Sequence, residues 1–150
     1  MRLIHATLAF VLMANWTLQA EQQKWVSLPP SQSESLARLC SRNGPKVDGG
    51  WKLTKTDVDA VEKALADASY LRERLAHSTA RSSDPQSYYR QHIGVTVAGR
   101  KVIYINGICR EPPSYWKKEL VDVCDGGCDW GVLYDPATGE FSQFTINGVA

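Results

Sequence analysis

A change of period constrains this chain more than any other feature. Through "LTKTDVDAVEKALADASYLRERLA", residues 53–76, Val58, Val61, Leu65, Ala68, Leu71 or Arg72, and Leu75 recur at helical spacing. Lys55, Asp59, Glu62, Lys63 and Arg74 fall largely on the other faces. Thr54, followed three residues later by Asp57, makes a capping box, and acidic Asp57 and Asp59 suit the positive end of a helix. After the loop "HSTARSSDPQS" the period becomes two. "YYRQHIGVTV", the turn "AG" and "RKVIYING" read as a β-hairpin. "ELVDVC", "WGVLYD" and "EFSQFTI" read as further strands, the last two joined by the turn "DPATG". An amphipathic helix must bury its stripe, and a sheet of alternating pattern must bury one face. The expected fold class is therefore α+β. One long amphipathic helix packs across a curved antiparallel sheet of four to five strands whose other face is wet.

The N-terminus sets the compartment. Residues 1–20, "MRLIHATLAFVLMANWTLQA", carry a charged start, an apolar run and small Ala20, the pattern of a secretory signal peptide cleaved after Ala20. The run is too short and too interrupted for a stable membrane span. Residues 21–48 form an N-terminal arm in which "SESLARLC" offers a short helix capped by Ser33 or Ser35. Residues 49–150 form a single α+β domain. The chain holds 17 Lys+Arg and 16 Asp+Glu, and Arg2 is the only charged residue of the signal, so the mature part is neutral. Neutrality argues against nucleic acid as a partner. Cys40, Cys109, Cys124 and Cys128 all lie in the mature part. An even count in an exported chain reads as two disulfides, and the compartment as periplasmic or secreted. The pairing favoured by the strand order is Cys109 with Cys124 and Cys40 with Cys128.

The element order resembles the cystatin-like and NTF2-like arrangements. A more specific resemblance runs over about the last 60 residues together with the "W-x-L" entry at Trp51. "YYRQHIGVTVAGRKVIYING", a Trp in the connection, "VCDGG", "WGVLYDPATGEF" and a final "NG" resemble small exported bacterial proteins of uncharacterised function. That resemblance implies export and fold and transfers no catalytic residue. Cys128 departs from it, since Asp or Ser is implied there.

The glycine-rich stretch "VCDGGCDWGVLYD" holds the densest set of candidate chemical groups. Asp125, Asp129 and Asp135 stand four and ten residues apart, which is not the regular spacing of a calcium loop. "CDGGC" lacks a second ligand pair for zinc, since His77 and His92 are distant. No metal and no cofactor is implied. Paired carboxylates in a glycine turn have no fixed geometry for hydrolysis, and Asp125-Gly126-Gly127 reads as a turn. The binding candidates are Tyr115 and Trp116 in "EPPSYW", aromatics beside two prolines on a loop. Trp116 folded back as a hydrophobic lid is the competing reading. The leading expectation is a non-enzymatic exported binding protein, an inhibitor or protective partner of another exported protein such as a hydrolase. The alternative is a small-molecule-binding or hydrolytic cone with His92, Tyr104 and Asp125 inside.

Overall fold

The computed structural model describes residues 23–40, 42–124 and 126–148. The signal peptide expected over residues 1–20 and Asp125 lie outside the described residues. The elements run β1 (Trp25–Ser27), a 3-10 helix (Pro30–Arg38), β2 (Gly49–Trp51), α1 (Lys55–Ala66), α2 (Ser69–Ala76), a 3-10 turn (Pro85–Ser87), β3 (Tyr89–Val97), β4 (Arg100–Ile108), β5 (Trp130–Asp135) and β6 (Glu140–Ile146).

This architecture corrects the expected α+β arrangement. The long helix does not form. Thr54 caps α1 with the capping box read from the sequence, but the helix ends at Asp67. Ala68 takes φ −74°, ψ 77°, outside the helical region, and α2 restarts at Ser69. Short polar side chains such as Asp67 and Ser69 offer the backbone local alternatives to helix. Arg72 Nη2 donates to the carbonyl of Ala66 at 3.1 Å and so satisfies one carbonyl that the break exposes. The apolar stripe survives the break, with Val58, Val61, Leu65, Ala68, Leu71 and Leu75 all buried.

The sheet has six strands and is mixed rather than antiparallel, and it does not curl into a cone. Its order is β1-β3-β4-β5-β6, with β2 also on β3. The arm supplies the additions. β1 pairs parallel with residues 90–92 of β3, and β2 pairs antiparallel with residues 94–96 of the same edge. "ELVDVC" is not a strand. It crosses the sheet as an irregular segment.

Neither face of the sheet is wet. On one face α1 and α2 pack Val61, Leu65, Leu71 and Leu75 against Ile103, Ile105, Trp130, Val132 and Tyr134. On the other, Leu28 and Leu36 of the arm pack against Ile93, Val95, Val102, Tyr104 and Leu133. Two glycines make room for the largest side chains. A Cβ on Gly107 would stand 2.0 Å from the Trp130 indole, and one on Gly131 would stand 2.1 Å from the Tyr104 hydroxyl.

β6 carries a bulge opposite Gly131–Leu133. Gln143 sits there with φ 53°, a left-handed conformation rare for a residue with a side chain. The extra residue explains why Phe141, Phe144 and Ile146, spaced three and then two, all pack against the helix-face core. Gln143→Gly should leave stability unchanged or slightly higher. Gln143→Val should lower it by about 1–2 kcal/mol, because a β-branched residue resists positive φ. Thermal denaturation of the two variants checks the pair.

Candidate functional site

β3 and β4 place a run of polar residues inside the protein. Gln91 and Asn106 are directly paired across the two strands and are both fully buried. A carboxamide has two donor hydrogens and two acceptor lone pairs, and Gln91 uses all four. Its Nε2 donates to the carbonyls of Trp116 (2.5 Å) and Glu119 (2.7 Å). Its Oε1 accepts from Asn106 Nδ2 (2.9 Å) and the Val121 amide (2.8 Å). Asn106 Nδ2 also reaches the Val121 carbonyl at 2.9 Å. The segment that read as a strand is thus tied down by side chains in place of a ladder.

The arm enters the same network from the other side. Arg42, buried, donates from Nε to the Tyr104 hydroxyl at 3.3 Å and from its two terminal nitrogens to Asn147 Oδ1 and Asn106 Oδ1. Asn147 Nδ2 donates to the Val123 carbonyl at 2.7 Å. Burial raises the Tyr104 phenol above its ordinary range, with the Arg42 cation opposing. The phenol therefore stays protonated and serves as an acceptor for Arg42. A disulfide joins Cys40 to Cys124, and the Cys40 amide donates to Asp122 Oδ2 at 2.8 Å. Cys40 and Arg42 clamp the crossing segment onto the sheet.

The surface carried by this network is the turn around Tyr115. Trp116 is 9% exposed and packs with Ile108 and Val121, its ring edge-on to Tyr89 at 5.7 Å. The amides of Lys118 and Glu119 donate to the Tyr115 carbonyl at 2.8 and 3.2 Å, which closes the turn. Tyr89 Oη donates to Glu111 Oε2 at 2.6 Å at its start. Tyr115 points outward, 46% exposed, the one large hydrophobic side chain left exposed among the described residues. Lys117 and Lys118 flank it in solvent. The two aromatics of "EPPSYW" therefore divide the work. Trp116 anchors the turn and Tyr115 is displayed.

Of the alternative reading's residues, His92 and Tyr104 are not brought together. His92 lies on the helix face beside Glu62 of α1, with Nε2 3.0 Å from Glu62 Oε1. Tyr104 lies on the arm face, paired with Ile93. His92 Nε2 stands at ion-pair distance from Glu62, and neither ring nitrogen makes a hydrogen bond among the described residues. Glu62 is instead held by Arg90, whose Nε and Nη2 reach its two oxygens at 2.9 and 2.7 Å.

The cysteines pair as Cys40–Cys124 and Cys109–Cys128, with Cα separations of 5.1 and 5.8 Å. The pairing expected from the strand order is therefore corrected. The reason is the irregular path of residues 119–124, which carries Cys124 to the arm and leaves Cys128 beside the end of β4. Two disulfides mark an oxidising location, outside the cell or in a periplasm. Among the described residues no helix is long and apolar enough to cross a membrane. Cys109, Cys128 and Asp129 are close enough to hold an ion, but their sulfurs are joined to each other and are not thiolate donors.

A wide groove of about 770 Å³ runs between the α1–α2 corner and the β5–β6 hairpin, lined by Tyr70, Phe141 and Gln143 among others. Its charged pair, Arg100 and Asp135, is closed on itself at 3.1 Å. Comparison with protein-family models, with curated proteins and with solved structures returns no match for this chain.

Proposed function

We propose that this chain is an exported protein-binding module, an inhibitor or protective partner of another exported protein, and that it engages that partner through the turn around Tyr115. One observation carries the reading: an exposed tyrosine is displayed on a turn whose backbone is already fixed from inside by Gln91 and Trp116. Ordering a loop on binding costs affinity, and a preformed turn avoids that cost. Tyrosine is among the residues that most often dominate an interface. The signal-like N-terminus and the two disulfides support a partner met outside the cytoplasm.

The test uses residues 21–150 as bait against the envelope fraction of the source cells, followed by affinity measurement on the captured partner. Tyr115→Ala should weaken that affinity by about 2 kcal/mol or more while changing stability by about 0.5 kcal/mol or less. Trp116→Ala should act in the opposite way, costing about 3–5 kcal/mol of stability as other large core truncations do. A partner that binds Tyr115→Ala as tightly as wild type removes Tyr115 from the interface and the proposal with it.

A further inference from the structure

The Cys109–Cys128 bridge stands in a different setting from the other disulfide. Cys109 follows the last residue of β4, and Cys128 directly precedes Asp129 and the start of β5. Both cysteines are half-buried, whereas Cys40 and Cys124 lie on the surface. Beside the bridge is a small cavity of about 150 Å³, lined by both of its cysteines, Asp129, Ile108, Val121 and Val123 among others. Asp129 is 5% exposed. Its Oδ1 accepts from the Cys109 amide at 2.9 Å, and a carboxylate oxygen lies within 4.8 Å of both sulfurs. Arg81 Nη1 donates to the Cys109 carbonyl at 3.1 Å. Burial holds the Asp129 carboxyl above the ordinary range of an aspartate, against the hydrogen bond from Cys109 and the nearby charges of Arg42 and Arg110.

We propose that Cys109, Cys128 and Asp129 form a thiol–disulfide exchange centre for low-molecular-weight thiols, with Asp129 as the proton donor to the leaving sulfur. A small thiolate enters the cavity and attacks one sulfur of the bridge. A bond forms between the small molecule's sulfur and the attacked cysteine sulfur, the Cys109–Cys128 bond breaks, and its electron pair departs on the other cysteine. That thiolate takes the proton from the Asp129 carboxyl. A second small thiol resolves the mixed disulfide and leaves as half of an external disulfide. In sum, two small thiols are oxidised and the protein bridge is reduced by two electrons, with the protons accounted for by the two cysteine thiols. The cavity limits the substrate to a thiol of roughly amino-acid size. The site is separate from the Tyr115 turn, and this inference does not rest on the binding reading.

The full folded chain is treated with 2-aminoethaneselenol, a selenium analogue of such a thiol, and every rate is divided by the selenolate fraction at that pH. Opening of each bridge is followed by alkylation and peptide mass analysis from about pH 4.5 to about pH 7.5. The rate at Cys109–Cys128 should fall about tenfold as pH rises and Asp129 gives up its proton. Asp129→Asn keeps an acceptor for the Cys109 amide, and in it the profile should be flat. The Cys40–Cys124 rate should be the same in both proteins. Wild-type opening that is already independent of pH overturns the proposal even if Asp129→Asn fails to fold. So does an unchanged pH profile in Asp129→Asn, or opening that occurs only at the rate of global unfolding.

Discussion

Glu62→Gln should destabilise this protein by about 3–5 kcal/mol at neutral pH, the range for breaking a buried ion pair by removing one partner. Arg90 is 4% exposed, and its only carboxylate partner among the described residues is Glu62, held through both oxygens. The remaining Arg90 nitrogen is already committed to the carbonyls of Tyr88 (2.6 Å) and Gln86 (2.9 Å), so the cation cannot swing out without breaking those as well. Glutamine keeps the shape and one acceptor but removes the charge. Burial alone would raise the Glu62 pKa, yet the His92 and Arg90 side chains hold it below its ordinary 4.5. A carboxyl lowered in the folded state contributes stability that is complete above the unfolded value and is lost as pH falls through the folded one. The gap between wild type and Glu62→Gln should therefore be widest near neutrality and narrow as pH falls below 4.5 and through the lower folded value. Urea denaturation of both proteins across that range measures it. An equal gap at acid and neutral pH would show that the loss is one of packing.

β3 shows where sequence pattern stops being informative. Arg90, Gln91 and His92 sit consecutively in β3, and three polar residues in a row carry no periodicity that reports their burial. All three are buried, because the arm and the helices cover opposite faces, and there Arg90 and Gln91 find hydrogen-bond partners while His92 stands against Glu62. The helix stripe was legible because apolar spacing reports burial directly. Its interruption was not, because Asp67-Ala68-Ser69 breaks no spacing rule and the break lies in one backbone torsion pair. "ELVDVC" alternates like a strand for a physical reason. An extended segment lying across a sheet also buries every second residue, and Val121 does so without any ladder partner.

The candidate site was legible only in its exposed half. Tyr115 and Trp116 stand out in "EPPSYW", although their opposite fates depend on contacts with Ile108 and Tyr89 that lie outside the motif. The supporting network joins Arg42, Gln91, Tyr104, Asn106 and Asn147, which share no spacing. A faint signal did exist. Asn106 interrupts the apolar run "VIYINGI", and an amide in a strand otherwise built for burial needs partners inside.

Gln91 is where fold and proposed binding surface meet, and it carries the other large prediction. Gln91→Leu should cost about 4 kcal/mol or more, because it strips partners from the Trp116 and Glu119 carbonyls and the Val121 amide, each worth about 1–3 kcal/mol when buried unpaired. Gln91→Glu separates hydrogen bonding from packing. It preserves volume and shape, so a side chain that merely fills space would tolerate it. Here it should be nearly as damaging as leucine, since one oxygen would replace the nitrogen that faces two carbonyls. Chemical denaturation gives the global loss. Amide exchange at residues 114–121 should show the local one, with protection falling there before it falls in β4. In a partner-binding assay both variants should lose affinity even when folded, with Tyr115 intact, because the turn that displays it is no longer fixed from beneath. Wild-type exchange rates at residues 114–121 in Gln91→Glu would mean that the turn holds itself, and that its rigidity has another source.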